Sequence, residues 1–252
     1  MSVLTGDGDG GHLLHVKGAP DVILELSTHL LRDGRIVPLT DEDRRAILDE
    51  NLRMADQALR VLAVAYRLAP EHPFPAALDD ATEAYRHLLS SGYEPRHIAF
   101  AGESAGGGLI YCLGQRIKEL GLPLPAAMVG ISPWTDLTFT GASYKTNAKK
   151  DPSLNEAALR RYAKAYADGR QDDPLVSPAF GDYNGFPPAL ILAGGNELLL
   201  SDSEMLAARL VSSGCRCELH VEEGLWHVYV LFGIPEARAA LDKITEFLEL
   251  WA

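Results

Sequence analysis

Sulfur is scarce in this chain: three cysteines stand among 252 residues. Cys112, Cys215 and Cys217 are odd in number and show no C-x-x-C spacing. That excludes a disulfide framework or a cysteine-based zinc site as the organising device. Cys215 and Cys217 share one face of an expected strand and read as small core residues. Basic charge is also in short supply, 23 Lys and Arg against 35 Asp and Glu, for a formal net charge of −12. That balance argues against nucleic acid or an anionic membrane surface as partner. No apolar run approaches membrane-spanning length. The opening Met1-Ser2-Val3-Leu4-Thr5-Gly6-Asp7 lacks the basic flank and apolar segment of a signal peptide, so the expectation is a soluble, cytoplasmic protein. There is no internal repeat and no low-complexity linker.

What is present is alternation. Apolar runs expected as buried strands cover 61–66, 97–101, 126–131, 189–193 and 215–221. Between and after them lie amphipathic segments expected as helices over 75–90, 109–120, 203–212 and 235–250. In 75–90, for instance, Ala77, Leu78, Ala81, Ala84, Tyr85 and Leu88 fall at helical spacing. A polar insert over 138–173, with a helix near 155–166, interrupts the rhythm and is expected over the strand ends. The pattern predicts an α/β fold, a mostly parallel sheet with helices on both faces.

The chemistry gathers at the carboxyl ends of those strands. Gly102-Glu103-Ser104-Ala105-Gly106 falls between a strand and a helix, the setting of a nucleophile elbow. Small neighbours permit a cramped turn that pushes the Ser104 hydroxyl out above the sheet, and the helix aims its first amides, Ala105 among them, at negative charge forming there. His227, in a loop after the last strand, is the candidate base. The other histidines, 12, 15, 29, 72, 87, 97 and 220, have no comparable setting. Glu197, three residues past Gly194, is the candidate acid that orients the imidazole, with Asp202 in reserve. Serine, acid and histidine in that chain order match the α/β-hydrolase order. No metal or cofactor is required.

Tyr66-Arg67-Leu68-Ala69-Pro70-Glu71-His72-Pro73-Phe74-Pro75-Ala76 resembles the segment preceding the elbow in bacterial esterases of the hormone-sensitive lipase family. Ser132-Pro133-Trp134-Thr135-Asp136-Leu137, Asp173-Pro174-Leu175-Val176-Ser177-Pro178 and Gly185-Phe186-Pro187-Pro188 match it too. The resemblance runs from about Tyr66 to the C-terminus. It implies an α/β-hydrolase fold and a serine carboxylesterase acting on short- to medium-chain acyl esters. By motif position it makes Ser104 the nucleophile, His227 the base and Glu197 the acid, where aspartate is more usual. A homodimer is the assembly it implies. Trp134, with Phe139 and Tyr144, is expected to line the acyl side.

Two departures qualify this picture. The family's His-Gly-Gly-Gly oxyanion loop has no counterpart here, nor do its N-terminal lid and first strands. Instead His15-Val16-Lys17-Gly18-Ala19-Pro20-Asp21-Val22-Ile23-Leu24 resembles the nucleotide-binding domain of P-type cation-transporting ATPases, as do Pro38-Leu39-Thr40-Asp41-Glu42-Asp43 and 58–67. The resemblance implies ATP-contacting roles for Lys17 and Arg60, but the aspartyl-phosphate motif Asp-Lys-Thr-Gly-Thr is missing, which excludes ion pumping. The expected organisation is thus an ATPase-like segment, 1–67, joined to an esterase domain, 68–252. A strand at 13–17, a helix at 41–57 capped by Thr40, and a strand at 61–66 would complete the sheet beside the elbow strand through a right-handed crossover. Gly18 and Ala19 would then offer amides in place of the lost oxyanion donors, beside that of Ala105. Three functions stay open on sequence: an esterase slowed by a poor oxyanion hole, a catalytically dead binding module, and a nucleotide-binding remnant.

Overall fold

A computed structural model of the chain describes residues 2–6, 12–16, 29–32, 35–45 and 64–252. Two compact units divide it, Met1–Ala65 and Tyr66–Ala252. In the first, Ser2–Gly6 (β1) pairs antiparallel with His12–Val16 (β2), and His29–Arg32 (β3) with Arg35–Pro38 (β4). Asp33-Gly34, between the last two in sequence, spells the dipeptide that tight hairpins favour. A helical segment covers 41–45. Thr40 caps it as expected: its hydroxyl accepts from the Asp43 amide at 3.2 Å and its own amide donates to Asp43 Oδ2 at 3.0 Å. This is the reciprocal logic of a capping box, with aspartate as the returning acid. The remainder of the expected helix, 46–57, lies outside the described residues.

Of the segments expected to complete the sheet, residues 12–16 pair with β1, 64–66 are irregular, and 17 and 61–63 lie outside the described residues.

In the second unit, Ala99–Glu103 (β5), Ala127–Ile131 (β6), Ala189–Gly194 (β7) and Cys217–Glu222 (β8) form a parallel sheet in that order. Its helices are Ala76–Ser90 (α1), Ser104–Glu119 (α2), the short Ser143–Thr146 (α3), Glu156–Ala167 (α4), Leu200–Ser212 (α5) and Pro235–Trp251 (α6). Every residue of β6 and β7 is buried, which is why both read as unbroken apolar runs. Successive side chains serve opposite layers. Met128, Ala189 and Ile191 pack with Tyr111 of α2 and with Leu206 and Leu210 of α5. Val129, Ile131, Leu190 and Leu192 pack with Ala240 and Phe247 of α6. A third cluster joins Leu78 and Tyr85 of α1 and Leu113 and Ile117 of α2 to Tyr144, Leu159 and Ala163 of the insert.

Among the boundaries that differ from expectation, three have a local reason. β5 starts at Ala99 because Pro95–His97 forms a 3₁₀ turn ahead of it. β8 starts at Cys217, leaving the buried Cys215 in the turn before the strand, where its thiol donates to the Tyr183 carbonyl. α2 begins at Ser104 and not at 109, despite three glycines of low helix propensity in its first turns. The glycines serve packing: a Cβ on Gly108 would stand 2.1 Å from the Trp134 carbonyl oxygen.

Candidate active site

β5 passes into α2 with no intervening loop, and Ser104 absorbs the reversal with φ of 52°. The turn is so close that a Cβ on Gly102 would lie 2.3 Å from the Gly106 carbonyl oxygen, so only glycine fits there. The Trp134 amide donates to the Ser104 carbonyl at 2.9 Å and ties the elbow to the loop after β6. Ala105 follows in the first helical turn, whose N–H groups have no acceptor within the helix. Together with the aligned helix dipole they form a place for an anion beside the hydroxyl.

The acid and the base arrive on neighbouring loops, sewn together by backbone hydrogen bonds. After β7, the Gly195 amide donates to Glu222 O at 2.8 Å and the Asn196 amide to Leu225 O at 2.9 Å, while Asn196 Nδ2 reaches Gly224 O at 3.0 Å. A Cβ on Gly194 would meet the Leu225 and Trp226 carbonyl oxygens at 2.6 Å each, so glycine is what lets the two loops touch. The consequence is the ring of His227, with 5% of its surface exposed, held between two partners. Nδ1 lies 3.2 Å from Glu197 Oε2 and Nε2 lies 2.9 Å from Ser104 Oγ.

A carboxylate only accepts, so Nδ1 carries the proton and donates to Glu197, and Nε2 is left to accept from the serine hydroxyl. Glu197 is fully buried, and its Oε1 has no hydrogen-bond partner among the described residues. In such a dry site its charge acts on an imidazolium with little screening.

The insert, expected over the strand ends, braces the acid. Asn147 Nδ2 donates to the Gly195 and Glu197 carbonyls at 3.1 and 3.0 Å. Asp151 Oδ2 accepts from the Leu198 amide at 2.8 Å. The Ser143 hydroxyl donates to Leu198 O at 2.6 Å and accepts from the Ser201 amide at 3.0 Å. Sequence reasoning missed these residues, since polar side chains scattered through an irregular segment carry no periodic signal.

Asp202, held in reserve as the acid, has another task. Its Oδ2 accepts from the Thr135 and Asp136 amides at 2.9 and 2.8 Å, closing the turn after β6. Burial pushes its carboxyl up to about 8 against the pull of those two amides. Trp134, expected on the acyl side, is buried in the core cluster with Tyr144, its ring in edge contact with Phe139 at 6.2 Å, and it serves the site through its backbone. Gly18, Ala19, Lys17 and Arg60 lie outside the described residues. Arg67 clasps the Asp80 carboxylate of α1 with its guanidinium and backbone amide, and the guanidinium holds Asp80 below the usual carboxylate range. Both side chains are solvent-accessible, so water and salt screen the pair.

Four parallel strands flanked by helices, a serine at a strand-to-helix elbow and a histidine between it and a buried acid define an α/β hydrolase. The chain belongs to that family: the family described as the α/β-hydrolase fold matches residues 49–231. An acetyl-hydrolase of Streptomyces hygroscopicus is 42% identical over 191 residues, 75% of this chain and 64% of the relative. Esterase LipU of Mycobacterium tuberculosis is 33% identical over 256 residues, 98% of this chain and 80% of the relative. A crystal structure of an esterase from the bacterial hormone-sensitive lipase family is 35% identical and superposes with a TM-score of 0.77, covering 92% of this chain and 89% of that one. The chain thus spans less than two thirds of the acetyl-hydrolase's length but most of the other two. A second family, the P-type ATPase cytoplasmic domain N, matches residues 1–92, a stretch that the LipU alignment also traverses in large part. No helix among the described residues is long and apolar enough to cross a membrane.

Proposed function

We propose that the chain is a serine carboxylesterase acting on short- to medium-chain acyl esters. The observation that carries this reading is the continuous Ser104–His227–Glu197 relay, 2.9 and 3.2 Å per link, formed by residues far apart in sequence. In that role Ser104 attacks the ester carbonyl and passes its proton to His227 Nε2. His227 returns the proton to the leaving alcohol and then activates the water that hydrolyses the acyl-enzyme. Glu197 fixes the tautomer and balances the imidazolium charge. The Ala105 amide is the named donor to the oxyanion. The relatives named esterase and acetyl-hydrolase support the same chemistry.

With no His-Gly-Gly-Gly loop in the sequence, turnover is set by how many other donors meet the oxyanion, each worth about 10²–10³ in rate. The match of residues 1–92 to the ATPase domain supports reading 1–67 as a segment of that kind joined to the hydrolase.

The test compares wild type and Ser104→Ala on p-nitrophenyl acetate and butyrate, with fluorophosphonate labelling of Ser104 read alongside. Release that depends on Ser104 is the expected result. Equal rates for both proteins, together with no labelling, would leave a binding module in place of the enzyme.

A further inference from the structure

We propose that Ser132 is a positioning residue for His227, a role that rests on the esterase reading above. Ser132 is the first residue beyond β6, fully buried, and its amide donates to Leu192 O of β7 at 2.7 Å. Its hydroxyl reaches in the other direction and accepts from the Val228 amide at 3.0 Å. Val228 is the next residue after the histidine, so this bond fixes the peptide that carries the imidazole.

Both ends of the bond are held in unusual backbone. Ser132 has φ of 47° and Val228 has φ of 51°. A β-branched residue is a genuine outlier in that region. Such conformations persist only where the surroundings hold them, and they gather at functional sites. Two consecutive consequences follow. The left-handed turn at Ser132 directs its side chain away from the β6 ladder toward the histidine loop, and the left-handed Val228 turns that loop into the 3₁₀ segment Tyr229–Leu231 directly after the ring. The loop is thereby held at two points. Gly195 and Asn196 fasten it before the ring, and Ser132 fastens it after the ring. With both in place the Nε2-to-Oγ distance of 2.9 Å is determined by fixed backbone on either side of His227.

Two substitutions separate positioning from mere packing. Glycine accepts a φ of 47° without strain but has no hydroxyl, so Ser132→Gly relieves the backbone and leaves the Val228 amide without its acceptor. Ser132→Thr keeps the hydroxyl and adds backbone strain. If the backbone turn alone matters at this position, the glycine variant is the more active of the two. Positioning makes it the slower: kcat for p-nitrophenyl butyrate falls roughly tenfold to a hundredfold with KM little changed, and the threonine variant recovers part of the loss.

A readout independent of turnover is exchange of the His227 Nδ1 proton with water, followed by NMR. It should quicken at least tenfold in Ser132→Gly. If Ser104-dependent hydrolysis is absent in wild type, the esterase reading fails, and the exchange measurement still decides whether Ser132 holds the ring. Unchanged exchange in the glycine variant overturns the proposal, as does unchanged kcat in an active enzyme.

Discussion

His227 Nε2 stands 2.9 Å from Ser104 Oγ across 123 positions of sequence, and the carboxylate behind it, Glu197, comes from yet another strand end. The pair exists because three parallel strands finish at one edge of the sheet. Replacing His227 by alanine should lower kcat by about 10⁴ or more and slow fluorophosphonate labelling of Ser104 to a comparable degree. Stopped-flow labelling rates check this, with the thermal midpoint recorded to show that the fold survives.

Glu197→Gln conserves volume but lets the buried group donate as well as accept, which favours the wrong imidazole tautomer. The expected loss in kcat is about 10³–10⁴ with KM little altered. Glu197→Asp restores the charge on a shorter arm, so it should retain more activity than the glutamine variant but less than wild type. Michaelis–Menten analysis of the two proteins side by side is decisive, because the opposite ranking would mean that reach matters more than charge.

Gly194→Ala places a methyl group against two carbonyl oxygens at 2.6 Å, neither of which belongs to a side chain that can swing aside. The loop bearing His227 must therefore move. Urea unfolding should show a destabilisation of about 1–3 kcal/mol, and kcat should fall further than that loss of stability accounts for.

Asn147→Ala removes the amide that donates to the Gly195 and Glu197 carbonyls; the Glu197 carbonyl still accepts from the Leu200 amide at 3.4 Å, whereas the Gly195 carbonyl loses this donor. Leaving an acceptor of this kind unpaired costs about 1–3 kcal/mol. Denaturant titration should register that loss, and the activity lost with it should fall on kcat, since Asn147 holds the acid loop. A change confined to KM would point instead to a role in holding substrate.

Stability should also depend on pH through Asp202. Burial raises its folded-state value to about 8, whereas an unfolded aspartate titrates at about 4. Between those values the folded chain keeps a proton that the unfolded chain has released, so stability declines as pH rises through that window and levels off above it. Asp202→Asn retains an oxygen for the Thr135 and Asp136 amides but does not titrate, so this part of the slope should vanish. Thermal midpoints of both proteins from about pH 4 to about pH 9 measure the difference.

Much of the arrangement is legible in the residues alone. β6 and β7 are readable because burial on both faces writes an unbroken apolar run, and the elbow because a serine between glycines at a strand-to-helix junction has few other uses. Glu197 and His227 stand out by their positions past strand ends. The choice between Glu197 and Asp202 is not decidable at that level, since both follow the same strand and only the direction of a side chain separates them. Asn147, Asp151 and Ser132 are invisible there for a related reason: their importance lies in which backbone group they meet, and no periodicity encodes that.

Since the loops after β7 and β8 are sewn to each other, carboxylate and imidazole form a single cassette carried by adjacent strands, and the nucleophile is delivered separately from β5. Exchange of aspartate for glutamate within this family thereby becomes a local event. The longer acid needs room only between the cassette and the insert that covers it, and the geometry of the serine turn is left untouched.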